Sequence, residues 1–86
     1  MYNIIKNYVN NLTINDIRSF ALKNDIDLSN LELSIIYETL NNNLDNLLYN
    51  SESVFTNLKD KFSVDNYTKI YNLYNSYKKR YGNYFL

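Results

Sequence analysis

The stretch Lys23-Asn24-Asp25-Ile26-Asp27-Leu28-Ser29-Asn30 decides how the rest of the chain is read. Asp25, Asp27 and Ser29 fall at alternate positions, as the oxygen ligands of an EF-hand do, and segments with helical spacing flank them. An EF-hand loop also requires glycine at its sixth position and a bidentate glutamate at its twelfth. Counted from Asp25, those positions hold Asn30 and Ile36. The stretch is therefore read as a corner between two helices. Ile26 and Leu28 point inward, the aspartates stay in water, and no metal is expected.

The corner's last residues start the next helix. Ser29 and Glu32 have the spacing of a capping box, in which the hydroxyl accepts from the backbone three residues on and the carboxylate reaches back. Leu33, Ile36, Tyr37 and Leu40 then share a face that runs into Asn41-Asn42-Asn43, where asparagine favours a helix end. Upstream, Ile5, Tyr8, Val9 and Leu12 mark a first helix. Thr13 caps a second, with Asp16 in its first turn and Ile17, Phe20 and Ala21 on its inner face to about Asn24.

Downstream, residues 44–50 read as no more than a single turn pinned by Leu44, Leu47 and Leu48. Val54, Phe55, Leu58 and Phe62 place another helix from about Ser51. Ser63 or Asp65 caps the last, which runs to about Tyr81 with Gly82 at the usual C-cap position. No period-2 alternation is present. The expectation is an all-α fold: a single domain over 1–86, a compact bundle of four to five short helices with no sheet and a flexible tail at 82–86.

Composition narrows the chemistry. The 86 residues contain no cysteine, no histidine, no proline and one glycine. Disulfides, thiol nucleophiles, the commonest general base and glycine-rich phosphate loops are thereby removed. The chain is expected to be non-enzymatic and to use no cofactor. The N-terminus lacks a basic region leading into an apolar run, and no stretch approaches the length of a membrane span, so a cytoplasmic protein is expected. Asparagine and the ten tyrosines are abundant, as codons of an AT-rich bacterial genome would make them. Only the placement of the tyrosines is informative.

Placement singles out the last helix. Tyr67, Ile70, Tyr74, Tyr77 and Tyr81 recur at three and four residues, with Tyr71 beside them. Such a stripe serves either as the core face of an amphipathic helix or as an aromatic seam for a partner. Charge reinforces the second reading: residues 1–58 carry three basic and seven acidic side chains, whereas 59–86 carry six and two. The candidate interaction surface is Tyr71, Tyr74, Tyr77, Lys78, Lys79, Arg80 and Tyr81. Its partner would be another protein or a second copy of the chain. The alternative is weak nucleic-acid binding through the basic and aromatic residues 77–81, although at ~100° per residue Lys78, Lys79 and Arg80 do not share a face.

Two resemblances bear on these readings. Ile14, Ile17, Phe20, Ile26, Leu33, Ile36 and Leu40 give residues 14–40 the spacing of a SAP module, a helix–extended–helix DNA-binding unit. The family's glycines and its basic second helix are missing, with only Arg18 and Lys23 facing five acidic groups between Asp16 and Glu38. Over roughly residues 3–78 the chain resembles the YqfT-like family of short helical proteins from Bacilli. The resemblance rests on Leu-Thr-Ile-Asn-Asp-Ile at 12–17, Ile-Asp-Leu-Ser at 26–29, Asn-Leu-Leu at 46–48 and Lys-Phe-Ser at 61–63. It implies an all-helical cytoplasmic protein and supplies no active site, the family being a domain of unknown function.

Overall fold

Asp25 has a backbone φ of 61°, in the left-handed region that a β-carbon disfavours and that aspartate tolerates better than most residues. That conformation reverses the chain at the end of the second helix. The Asp25 N–H donates to the Leu22 carbonyl at 3.1 Å and the Ile26 N–H to the Ala21 carbonyl at 2.9 Å, the paired bonds of a Schellman motif. Ile26 is thereby folded under Ala21, and both are buried. The corner is built by backbone hydrogen bonds and an apolar anchor.

The computed structural model describes residues 2–81; the tail 82–86 with Gly82, and the side chain of Tyr81, lie outside the described residues. Six α-helices follow in order: α1 Tyr2–Asn10, α2 Ile14–Lys23, α3 Asn30–Asn42, α4 Leu44–Tyr49, α5 Ser51–Leu58 and α6 Val64–Tyr81, with a 3-10 turn at Lys59–Lys61 before the last. Among the described residues there is no strand. The all-α expectation holds, but the helix count exceeds the four to five expected. The difference is α4. Asn43 and Asn50 leave helical geometry at φ −138° and −145°, isolating six residues whose Leu44, Leu47 and Leu48 are all buried. Burial of three leucines holds a helix too short to persist by propensity alone.

Caps start the longer helices. Thr13 and Asp16 form a reciprocal capping box at α2, and Ser29 and Glu32 form another at α3. Ser63, of the two expected candidates, caps α6: its hydroxyl accepts from the Asn66 N–H at 3.1 Å.

Two apolar clusters make up the core. Ile17, Ala21, Ile26, Leu28 and Leu33 form one around the α2–α3 corner, where Leu33 has no exposed surface. Val9, Leu44, Leu47, Leu48, Val54 and Phe55 form the other, under α1, α4 and α5. Leu40 and Ile70 pack against both clusters. Helix α6 thus crosses the joint between them; its 18 residues extend about 27 Å at 1.5 Å each, nearly the 31 Å long dimension of the molecule.

What fastens the start of α6 to the corner is the carboxylate of Glu32. Its Oε1 accepts from the Ser29 N–H at 2.9 Å and from the Asn66 amide at 2.8 Å, while Oε2 accepts from the Ser63 N–H at 2.9 Å. One side chain therefore satisfies the first turns of two helices 31 residues apart. The same Asn66 amide donates to the Asp27 carbonyl at 3.0 Å, and Lys69 Nζ to the Asp25 carbonyl at 3.0 Å. These bonds occupy the corner's main-chain oxygens. Among the described residues, no three His, Cys, Asp or Glu side chains are grouped to hold a metal ion.

Glu32 is buried. Desolvation, the largest single influence, pushes its carboxyl up, but the Ser29 and Ser63 N–H groups and the Asn66 amide together outweigh it and hold the group below its usual range. Its charged form therefore stabilises the fold. That stability is fully present above the unfolded glutamate value of about 4.3 and is lost as pH falls through the lower folded value. Urea unfolding between pH 7 and pH 3 is expected to show this decline. Glu32→Gln, which turns one acceptor into a donor facing a donor, is expected to flatten the pH dependence and to cost about 1–3 kcal/mol at pH 7.

Candidate functional site

Helix α6 presents two seams to the rest of the molecule, and the helical repeat assigns its side chains between them. Tyr67, Tyr71 and Tyr74 turn toward α4 and α5, where their rings surround Phe55 at centroid distances of 6.2, 5.3 and 5.3 Å. The edge-on and tilted contacts are those that the ring quadrupoles favour. Ile70, Leu73 and Tyr77 turn toward α2 and α3, with the Tyr77 ring 6.0 Å from that of Phe20. The tyrosine stripe is thus two faces serving two apolar clusters.

The phenol groups on the first seam are engaged within the chain. Tyr74 donates to the Leu47 carbonyl at 2.6 Å and Tyr71 to the Glu52 carboxylate at 2.8 Å. Burial lifts the Tyr74 phenol above its ordinary value, and the Glu52 hydrogen bond does the same for Tyr71. Both stay protonated at neutral pH. Lys78 joins this side, donating to the buried Ser51 hydroxyl at 3.0 Å. Of the seven residues expected to form an interaction surface, Tyr71, Tyr74 and Lys78 hydrogen-bond to α4 and α5.

Tyr77, Lys79 and Arg80 remain exposed at the end of α6, and the Arg80 guanidinium lies 5.8 Å over the Tyr77 ring. Such a stacked cation is worth roughly 0.5–1 kcal/mol at an exposed site. Lys78 and Arg80 leave the helix toward different neighbours, Ser51 on one side and the Tyr77–Phe20 pair on the other. The basic residues do not form a continuous strip.

Phe20 was expected on the inner face of α2, yet it is 47% exposed. Ile17 and Ala21, four residues apart, take the buried line, and Phe20 falls at its edge. Tyr8 departs in the same way: Ile5 and Val9 pack inward while Tyr8 stays exposed. A signal for both was available in the sequence, since an i, i+4 apolar pair already fills the inward direction of so short a helix.

These displaced aromatics edge a groove of about 720 Å³, lined among others by Tyr8, Phe20, Ile36, Leu40, Ile70 and Leu73. Its volume is that of an ordinary ligand or peptide site. Asp16 and Lys23 stand seven residues apart on α2 and both line it. Asp16 is turned back into its own capping box, which lowers its pKa chiefly through the Thr13 N–H. Lys23 lines the groove, and the Arg80 guanidinium lies over the Tyr77 ring.

The helix–corner–helix at 14–40 has the element order of the SAP resemblance, but Arg18 is held by the Asn15 and Asn30 side chains, each at 2.9 Å. Comparison with protein-family models, with curated proteins and with solved structures returned no match. Among the described residues, no helix is long and apolar enough to cross a membrane.

The two seams predict unequal responses to truncation. Tyr74→Ala removes a ring from the Phe55 cluster together with its hydrogen bond and is expected to cost about 3 kcal/mol. Tyr77→Ala is expected to cost about 1 kcal/mol, the worth of an exposed aromatic pair. Chemical denaturation of the two variants followed by far-UV CD measures the difference.

Proposed function

We propose that the chain is a non-enzymatic, cytoplasmic protein-interaction module whose binding surface is the groove bounded by α1, α2, α3 and the middle of α6. The carrying observation is the Phe20–Tyr77 pair, two aromatic rings left half in water at the edge of an apolar groove, with a guanidinium stacked on one of them. Aromatic and arginine side chains are the residues most enriched where protein partners bind tightly.

The occupant that fits is an amphipathic helix of a partner protein, its apolar face in the groove and carboxylates along one edge. Helix α2, which forms one wall, is ten residues long, or about 15 Å. That length suits three turns of a bound helix, recognised through anchors at i, i+3, i+4 and i+7. Lys23 on that wall, with Lys79 beyond the rim, supplies the complementary charge. On this reading the interface lies one seam away from the tyrosines most conspicuous in the sequence. The nucleic-acid alternative has less support, because Lys78 and Arg18 are engaged within the chain and the cations at the end of α6 do not line one track.

Photo-crosslinking in the native cell tests the reading. A benzophenone amino acid placed at Phe20 or at Tyr77 is expected to trap the same protein partner, and one placed at Val64, exposed on the far end of α6, is expected to trap none. Phe20→Glu, at a position that is already half exposed, should abolish the adduct formed from position 77 while leaving the helical CD spectrum unchanged. Equal yields from all three positions, an adduct with a second copy alone, or adducts to nucleic acid would contradict the assignment.

A further inference from the structure

A second, half-open cavity lies between α3, α4, α5 and α6, on the other side of Ile36, Leu40 and Ile70 from the groove. It has a volume of about 130 Å³ and an apolar wall that includes Leu40, Phe55, Leu58, Phe62, Ile70 and Tyr74. Close-packed interiors contain few voids larger than a water molecule. This one is several times that size, and the local geometry shows why it does not collapse.

Rings that could fall inward are tethered outward. Tyr74 is held at its far end by the Leu47 carbonyl, and Tyr71, which braces Phe55 edge-on at 86°, is held by Glu52. Tyr67 stacks on Tyr71 at 18° between ring planes. The three phenols and Phe55 form a stiff arch, and closing the space beneath it would break hydrogen bonds each worth about 1 kcal/mol. On the opposite wall the Thr39 hydroxyl is already spent on the Ile35 carbonyl at 2.8 Å.

The cavity wall exposes no polar surface to hold an ordered water. A buried water needs two to four polar partners, and among the described residues no fully buried side-chain nitrogen or oxygen lacks a hydrogen-bond partner. An apolar cavity of roughly 150 Å³ lined by leucine, isoleucine and phenylalanine stays dry and admits benzene or xenon. We propose that the cavity beneath the Phe55 arch is a binding site for a small apolar molecule, a single aromatic ring or a short branched alkane. Ile36, Leu40 and Ile70 line both spaces, so the cavity and the groove are neighbours separated by these three side chains. The site does not depend on the groove's having a protein partner.

Benzene titration and xenon pressurisation of the intact chain, read by methyl NMR and by thermal unfolding, test the proposal. Saturable shifts are expected at the Leu40, Leu58 and Ile70 methyls, together with a melting temperature that rises with benzene concentration, because a ligand that binds only the folded state stabilises it. Leu58→Phe, which fills the space, should abolish both responses; Thr39→Leu is a second filling variant from the opposite wall. Absence of saturable shifts in the wild-type chain, or shifts centred on Ile17 and Leu73 in the groove, would overturn the assignment. If neither filling variant folds, the wild-type methyl map alone decides.

Discussion

The Glu32 carboxylate is the constraint on which the arrangement depends. Removing a charge from water is costly, and a carboxylate is retained in a buried position only where enough donors converge on it. Here the donors come from Ser29, Ser63 and Asn66, so the condition for burying the charge is that α3 and α6 begin side by side. Apolar burial stabilises contact between the helices but is indifferent to small slides along their axes. Directional hydrogen bonds are not. The Glu32 junction therefore sets the register of α6 against both core clusters.

Everything on α6 follows from that register. With its first turn fixed, successive side chains alternate between the α4–α5 seam and the α2–α3 seam. Tyr67, Tyr71 and Tyr74 build the arch over Phe55, while Ile70 and Leu73 close the other cluster and Tyr77 reaches Phe20. A slide of one residue would turn each side chain by about 100° and separate the Tyr74 hydroxyl from the Leu47 carbonyl. The cavity beneath the arch and the groove beside it are two consequences of one placement. Ile36, Leu40 and Ile70 are the partition between them.

Much of this was legible in the sequence where the signal was local. The all-helical class, the Thr13 cap, the Ser29 capping box, and the inward roles of Ile26, Leu28 and Leu33 follow from spacing and side-chain chemistry within a few residues. What was not legible is what depends on partners distant in the chain. Glu32 read as a cap for α3, and nothing near it in sequence announces Ser63 or Asn66. Asn43 stands at the start of the 44–49 helix but its side chain makes no cap hydrogen bond, so that helix is held by burial that only the assembled core supplies. The tyrosines of α6 formed one stripe on a helical wheel, and only the positions of Phe55 and Phe20 divide it into two seams.

The account's central claim is that Glu32 couples the α2–α3 corner to the start of α6, beyond capping α3 alone. A double-mutant cycle between Glu32→Gln and Asn66→Ala, measured by urea unfolding at pH 7, tests that claim most directly, because the two residues lie 34 positions apart and meet only through this bond. The account predicts a coupling energy on the order of 1–2 kcal/mol, in the range for neighbours within one hydrogen-bond network. Additive effects within about 0.3 kcal/mol, the behaviour of independent sites, would contradict it.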